Sequence, residues 1–194
     1  MSEQTIENKL KVLAEQVAGC VQCGLHATRT QIVFARGNPA AKLMISGEAP
    51  GMHEQEQGLP FVGASGQLLD RTLIELGLDV ANDVYVLNAI KCKPPNNRKP
   101  TEDELNSCAP FFEEQIKLVS PKVIIALGNT AVSVLLPIEA GITKIHGKFF
   151  KRGKVFIMPA YHPSYVLRNG GSGIVFEEFM ADLKSAIQKV KEIQ

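Results

Sequence analysis

One loop limits the possible folds more than any other part of the chain. The apolar segment 42–45 has the length and flanks of a buried strand, and Ser46-Gly47-Glu48-Ala49-Pro50-Gly51 follows it directly. Residues 65–76 then have the pattern of a helix. Because ligands bind outside the carboxyl ends of the strands in an open α/β sheet, this loop is predicted to line a ligand site. Gly47 and Gly51 bracket a proline and leave backbone N–H groups accessible to a ligand.

The same loop carries groups that suit a planar polar ring. Carboxylates at Glu48 and Glu54 come before the apolar segment Pro60-Phe61-Val62, which supplies a flat aromatic face. An ordinary connection between a strand and a helix is the alternative, since such loops also favour glycine and proline. The length of the loop and its internal apolar segment favour a binding site.

Apolar strands alternate with helices along the rest of the chain. Strands are predicted over 43–46, 84–89, 123–128 and 155–160. Helices are predicted over 5–18, 65–76, about 101–119 and about 175–191, with a further helix capped by Asn129 or Thr130. Residues 24–41 are predicted to be irregular. This order indicates an α/β fold whose parallel sheet is covered on both faces, and the length of 194 residues suits a single domain over 1–194.

Four cysteines require an explanation, because structural disulfides are not expected in a reducing compartment. Cys20 and Cys23 form a Cys-x-x-Cys pair, and Cys92 and Cys108 lie on either side of a proline-rich loop. Four thiolates can bind zinc or a [4Fe–4S] cluster. The single third and fourth cysteines are less like a zinc ribbon, which has two Cys-x-x-Cys pairs. Four unrelated buried thiols are the remaining alternative.

Composition and charge exclude few functions. No apolar run approaches the length of a membrane span, and the first residues are polar, so we expect a cytoplasmic protein with no membrane partner. The net charge of +1 argues neither for nor against nucleic acid as a partner.

Three predicted loops bring polar side chains to one edge of the sheet. The loops after the first, second and fourth strands carry Glu48, Glu54 and Phe61, then Asn88, then His162. The Asn88 carboxamide offers one donor and one acceptor, which match the O4 and N3–H edge of uracil. His162 could hydrogen-bond an oxygen that gains negative charge, and Phe61 could stack on a ring. The structural alternatives are a turn-forming asparagine, a satisfied histidine and a core phenylalanine.

Four linked motifs carry a resemblance to a known family. They are Gly-Glu-Ala-Pro-Gly at 47–51, Gly-x-Pro-Phe-Val-Gly-x-x-Gly-x-Leu-Leu at 58–69, Asn-x-x-Lys-Cys-x-Pro-Pro at 88–95 and His-Pro-Ser-Tyr-x-Leu-Arg at 162–168. In this order the chain resembles family 4 uracil-DNA glycosylase, the iron–sulfur type, over residues 20–168. The resemblance implies a three-layer αβα sandwich with a four-stranded parallel sheet. It also implies a monofunctional repair enzyme that flips uracil out of DNA and hydrolyses its N-glycosidic bond, leaving an abasic site.

The resemblance also implies roles for individual residues. Phe61 matches the stacking ring, Asn88 the reader of the uracil edge, and His162 the histidine that faces uracil O2. Glu54 matches an acidic residue near uracil C5. The ligands of a [4Fe–4S] cluster are matched by Cys20, Cys23, Cys92 and Cys108.

The catalytic carboxylate is less clear from the motifs. Glu48 matches the carboxylate of its motif, and it could position water or stabilise the sugar cation. Ala49 falls where other uracil glycosylases carry a water-activating aspartate. Gly47 and Ala49 are expected to contact the substrate.

DNA contacts are expected on the same edge of the molecule, with single- and double-stranded DNA as the partner of a monomer. Val166 and Leu167 are candidates for an apolar wedge that fills the gap left by the flipped base. Phosphate contacts are expected from Lys91, Lys93, Arg98, Lys99, Lys148, Lys151, Arg152 and Arg168.

Two residues depart from the usual pattern of the family. Gln55 replaces a common aspartate, and His146 stands where arginine is common, which could weaken a phosphate contact. Residues 92–101 contain no histidine and no insertion, so the covalent chemistry of a family offshoot is not expected. Two other functions are carried as alternatives: a non-catalytic iron–sulfur module for DNA binding or electron transfer, and a weaker one, a nucleotide-phosphate binder.

Overall fold

The computed structural model describes residues 3–193, in which a mixed six-stranded sheet lies between two layers of helices. The strands are β1 (Arg36–Gly37), β2 (Leu43–Gly47), β3 (Val84–Asn88), β4 (Val123–Leu127), β5 (Phe150–Arg152) and β6 (Val155–Ala160). The helices are α1 (Glu3–Ala18), α2 (Met52–Gln57), α3 (Ala64–Glu75), α4 (Glu102–Val119), α5 (Asn129–Leu135), α6 (Ile142–Ile145), α7 (Pro163–Arg168) and α8 (Ile174–Glu192). Short 3-10 helices cover Gly24–Ala27 and Pro95–Asn97.

The sheet has the strand order β1-β3-β2-β4-β6-β5. The four central strands run parallel, and they are the four strands that the sequence predicts. The prediction of a four-stranded sheet is two strands short, because β1 and β5 add antiparallel edges. These edge strands contain two and three residues, too few to show an apolar or alternating pattern.

Both faces of the sheet are covered, which confirms the predicted three-layer α/β architecture. Leu43 and Ile45 of β2 face a core that they share with residues of α3, α7 and α8. Met44, between them, faces the opposite core with residues of α1, α4 and α5. Because successive side chains of a strand point to opposite faces, a continuous apolar run fills both cores.

Local signals placed some helix boundaries well and missed others. Thr101 and Glu104 form the predicted capping box at the start of α4: Thr101 Oγ1 accepts from Glu104 N at 3.2 Å, and Glu104 Oε2 accepts from Thr101 N at 2.8 Å. Helix α5 begins one residue earlier than predicted, after Gly128, which has a φ of 86°. The short helices α2, α6 and α7 lie in segments for which no helix was predicted.

The parallel strands place their carboxyl ends at one edge of the sheet. Gly47 and Asn88 are paired in register at the ends of β2 and β3, and Leu127 pairs with Ala160 at the ends of β4 and β6. The segments that follow these strands therefore meet at this edge. No helix in residues 3–193 has both the length and the apolar character needed to span a membrane.

Candidate active site

A cleft of about 610 Å3, open to solvent, lies at the carboxyl edge of the parallel strands. Many of the predicted site residues line it: Glu48, Ala49, Glu54, Phe61, Asn88, His162 and Arg168. The expected convergence of loops from three strands is therefore present. The segment after β4, with Gly128 and Thr130, contributes a further wall that the sequence did not indicate.

Gly47 allows the Phe61 ring and the Asn88 carboxamide to meet. A Cβ atom on Gly47 would lie 2.5 Å from Asn88 Oδ1 and 2.5 Å from Phe61 Cζ, so both side chains occupy the space beside its Cα. Asn88 is only 2% exposed, and within residues 3–193 its carboxamide has no hydrogen-bond partner. The carboxamide borders the cleft and its polar atoms are not sealed from it, so both are available to a ligand and this pair has the character of a recognition site.

Phe61 is held in a backbone conformation that is unusual for a residue with a side chain. Its φ is 56°, in the left-handed region, and a Cβ on Gly66 would lie 1.9 Å from its carbonyl oxygen. Arg36 fixes the segment: Nε donates to Pro60 O at 2.7 Å and Nη2 to Phe61 O at 3.3 Å. The guanidinium is anchored by Asp70 Oδ1 at 2.6 Å. Backbone strain of this kind is found where the surrounding structure sets the direction of a functional side chain.

His162 is fixed in one neutral form. It caps the N-terminus of α7, where its Nδ1 accepts from Ser164 N at 3.1 Å and lies 2.8 Å from Ser164 Oγ. Because Nδ1 accepts a backbone N–H, the proton of the neutral ring is on Nε2. Burial, together with the charge of Arg168 and against the opposing charge of Glu54, lowers the pKa of His162 to about 4. The imidazole is therefore neutral near pH 7, with its centroid 5.8 Å from that of Phe61.

Glu48 is oriented by a residue that the sequence did not indicate. Thr130 Oγ1, on the first turn of α5, donates a hydrogen bond to Glu48 Oε2, and both residues line the cleft. The two residues are 82 positions apart in the chain. One carboxylate oxygen is thereby fixed, and the other has no hydrogen bond within residues 3–193.

Glu54 holds its own loop together. Its carboxylate accepts from the backbone N–H groups of Gly51 at 3.0 Å, Val62 at 3.1 Å and Gly63 at 2.9 Å. The side chain thus closes the loop that carries Phe61. Glu54 also lines the cleft, and its expected position near C5 of a bound pyrimidine stays a prediction.

The structure corrects two expected DNA contacts. Val166 is fully buried in the core beside α3 and α8, so its prediction as a wedge is wrong; α7 turns this residue inward. Leu167 is 36% exposed and stays a candidate, and Arg168 is exposed at the cleft. Lys91 is 0% exposed, so its prediction as a phosphate contact is also wrong.

Some of the remaining basic residues are already paired with carboxylates. Arg98 binds Glu104 through two hydrogen bonds of 2.8 and 2.6 Å, and Arg152 binds Glu113 at 2.8 Å. Arg98 nevertheless lines the cleft together with Lys99. The first pair lowers the positive charge at the cleft, whereas Arg152 lies beside Val155 at the amino end of β6, away from the carboxyl edge of the sheet.

His146, which departs from the family pattern, is partly buried and bonded within the protein. Its Nδ1 lies 2.9 Å from Asp182 Oδ2, and its ring centroid is 4.4 Å from that of Tyr161. Only 19% of the His146 side chain is exposed. The residue therefore braces the segment that precedes His162 instead of facing solvent as a phosphate ligand would.

A second, much smaller cavity brings the four cysteines together. It is lined by Cys20, Cys23, Cys92 and Cys108. Burial raises the pKa of Cys92, and it raises that of Cys108 to about 11, with Lys91 opposing the shift at Cys108. Arg29 Nη1 donates to Cys92 Sγ at 3.5 Å. Within the described residues, no three Cys, His, Asp or Glu side chains are grouped closely enough to hold a single metal ion.

Lys91 lies between the thiol cavity and the cleft. Its side chain is fully buried, Nζ donates to Asn88 O at 2.6 Å, and Nζ lies 5.5 Å from the centre of the Phe112 ring. Burial lowers the pKa of Lys91 to about 8, and the negative charge of a Cys108 thiolate would raise it. The two cavities are thus connected by one ammonium group.

Comparison with known proteins identifies several uracil-DNA glycosylases among the relatives of the chain. Residues 34–184 match the family model described as the uracil DNA glycosylase superfamily. The chain is 39% identical over 189 residues to the type-4 uracil-DNA glycosylase of Thermotoga maritima, covering 95% of this chain and 98% of that protein. It is 38% identical over 180 residues to the type-4 uracil-DNA glycosylase of Sulfurisphaera tokodaii, covering 88% and 81%. A type-5 uracil-DNA glycosylase of Pyrobaculum aerophilum is 34% identical over 151 residues, covering 70% and 66%.

Proposed function

The chain belongs to the uracil DNA glycosylase superfamily, and on this basis we propose that it is a uracil-DNA glycosylase, a hydrolase of N-glycosyl bonds that acts in DNA repair. The meeting of Phe61, Asn88 and His162 in one cleft is the observation that carries the proposal. These three residues are far apart in the chain, and each supplies a different interaction that uracil needs.

Recognition of uracil is assigned to Asn88 and Phe61. The carboxamide of Asn88 accepts a hydrogen bond from uracil N3–H and donates one to uracil O4. Cytosine presents the opposite pattern, with an acceptor at N3 and a donor at N4. The Phe61 ring supplies a face on which the pyrimidine stacks. Extrusion of the nucleotide from a duplex costs a few kcal/mol, and these contacts offset that cost.

Bond cleavage is assigned to His162 and Glu48. As the N1–C1′ bond breaks, uracil gains negative charge and the sugar gains positive charge. The neutral His162 donates Nε2–H to uracil O2 and stabilises the anion, and its Nδ1 cannot donate because it accepts from Ser164. Glu48 acts on the opposite charge, either by stabilising the sugar cation or by orienting the attacking water. The hydrogen bond from Thr130 fixes one carboxylate oxygen, so the other is available for this step.

We further propose that Cys20, Cys23, Cys92 and Cys108 hold a [4Fe–4S] cluster. Two observations support a polynuclear, negatively charged group: four thiols line one small cavity, and the buried Lys91 ammonium that borders it has no carboxylate partner within residues 3–193. When bound, the cluster ties the N-terminal segment to the loop between Cys92 and Cys108. Brown protein with broad absorbance near ~400 nm would support iron, and colourless protein with one bound zinc would exclude it.

The DNA strand is proposed to cross the rim of the cleft. Leu167 is exposed there and is assigned the wedge, while Arg98, Lys99 and Arg168 are assigned to phosphates. A single-domain monomer acting inside the cell on single- and double-stranded DNA is part of the same proposal.

The test is the release of bases from matched oligonucleotides. Strands that differ at one position, with uracil, thymine or cytosine, are incubated with the holoprotein, and abasic sites are detected by alkaline cleavage. We expect cleavage at uracil alone. In Asn88→Ala the rate of this cleavage should fall at least about 100-fold, because the side chain that recognises the uracil edge is lost. A folded holoprotein that binds the strands and releases no uracil would instead identify the non-catalytic iron–sulfur module.

A further inference from the structure

Lys91 is unusual because its charged side chain is completely buried. Among the largest fully enclosed side chains in residues 3–193, it alone carries a charge. Lysine is rarely buried without a partner, because removal of an ammonium group from water costs several kcal/mol unless compensating contacts are formed. The contacts that surround its Nζ atom therefore indicate what the residue does.

Three groups surround the ammonium of Lys91. Asn88 O accepts a hydrogen bond at 2.6 Å, the Phe112 ring lies 5.5 Å away, and Cys108 is near enough to interact through its charge. Glu104 borders the same cavity, but both of its oxygens are bonded to Arg98. Within the part of the chain that the structure describes, the counter-charge for Lys91 must come from the thiol cavity and not from a carboxylate.

The hydrogen bond to Asn88 O acts directly on the residue that reads uracil. Asn88 is the last residue of β3, and its carbonyl oxygen leaves the sheet at the point where the carboxamide enters the cleft. A donor that fixes this carbonyl also fixes the backbone from which the carboxamide projects. The main chain then continues through Lys91 to Cys92, so the same short segment borders both cavities.

We propose that Lys91 is a positioning residue that connects the [4Fe–4S] site to uracil recognition: its ammonium holds Asn88 O on one side and balances the negative charge of the thiolate-bound cluster on the other. The inference rests on the proposed function and gives the cluster a second role besides joining two segments. It follows that removal of the positive charge changes both the cluster and the cleft, although Lys91 contacts neither uracil nor DNA.

The test is Lys91→Met, which keeps the length of the side chain and removes the charge and the donor. Lys189→Met is the matched control, since Lys189 also lies over aromatic rings, at 5.1 Å from Phe156 and 5.8 Å from Phe149, and is remote from both cavities. The measurements on holoprotein are iron content, the reduction potential of the cluster by film voltammetry, and KM and kcat for a single-stranded uracil oligonucleotide.

For Lys91→Met with full iron content we expect a more negative reduction potential, because a nearby positive charge stabilises the reduced cluster. We expect KM to rise about tenfold with kcat changed less than about threefold, because the misplaced carboxamide weakens binding of the base before the bond breaks. Lys189→Met should match the wild type in reduction potential and in KM. If Lys91→Met does not accumulate as folded holoprotein, Lys91→Gln is measured against the same two criteria.

An unchanged potential or an unchanged KM in the neutral variant would overturn the inference. Its failure is distinct from failure of the proposed function. In the first case wild-type protein cleaves uracil-containing strands and the variant behaves identically, whereas in the second the wild-type holoprotein itself releases no uracil.

Discussion

Gly47 and Asn88 face each other as register partners at the ends of two parallel strands, and the Asn88 carboxamide occupies the space where a Cβ of residue 47 would lie. The Phe61 ring fills the other side of the same space. The glycine is therefore required by the side chains around it and not by its backbone conformation. Because residue 47 has no side chain, the Asn88 carboxamide and the Phe61 ring can lie side by side.

Replacement of Gly47 by alanine should disrupt this arrangement. The added methyl group would lie 2.5 Å from both Asn88 Oδ1 and Phe61 Cζ, so one of the two must move. We expect Gly47→Ala to lose at least about 100-fold in kcat/KM for uracil and about 1–3 kcal/mol in unfolding free energy through overpacking. Gly141→Ala, at a position with open space and a φ of −64°, is the control that should keep wild-type kinetics. Equal kinetics in the two variants would contradict the view that Asn88 and Phe61 need the space beside Gly47.

Removal of the Thr130 hydroxyl should affect Glu48 without affecting the fold. Thr130→Val preserves the shape of the side chain but leaves Glu48 Oε2 without its donor. We expect single-turnover cleavage to slow about tenfold, since a freely rotating carboxylate is oriented less often for the reaction. Thr130→Ser restores a hydroxyl and should recover most of the rate. A valine variant as fast as the serine variant would exclude this role for Thr130.

Arg36 should matter for activity although it lies outside the cleft. It holds the carbonyl oxygens of Pro60 and Phe61 and so keeps Phe61 in its left-handed conformation. We expect Arg36→Met to raise KM for a uracil oligonucleotide about tenfold, because the stacking ring is no longer fixed before binding. Arg71→Met, at an exposed position on α3, is the control. Wild-type KM in Arg36→Met would mean that Gly66 and Glu54 suffice to fix the ring.

The partly buried His162 should make stability depend on pH in mildly acid solution. Its pKa is about 4 in the folded protein and 6.5 ordinarily, so between these values the unfolded chain binds more protons and stability falls as pH falls. Between pH 7 and pH 5 we expect wild type to lose about 2 kcal/mol of unfolding free energy more than His162→Gln does. Urea unfolding of both proteins at the two pH values measures this difference. Equal losses would mean that His162 titrates as it does in water.

The features that could be predicted from the sequence were those fixed by neighbours in the chain. The apolar runs at 84–88 and 123–127 are buried on both faces, and Thr101 and Glu104 cap a helix only three residues apart. Such patterns are complete within one segment, so no knowledge of tertiary contacts is needed to recognise them.

The features that were missed depend on contacts between distant residues. Arg36 reaches Asp70, and Thr130 reaches Glu48, only because the sheet brings their segments together. The inward position of Val166 cannot be recognised from periodicity, because a six-residue helix is too short to show which of its faces is apolar. The burial of Lys91 cannot be predicted from the sequence, because lysine is seldom buried and its partners lie in a cavity that no sequence pattern describes.

The most direct test of the account is a crystal structure of the holoprotein with free uracil. The account predicts the ring stacked on Phe61, its N3–H and O4 on the Asn88 carboxamide, and its O2 within hydrogen-bonding distance of His162 Nε2. Uracil bound elsewhere, or bound in the cleft with the Asn88 carboxamide turned away from it, would contradict the claim that these three residues form one recognition site.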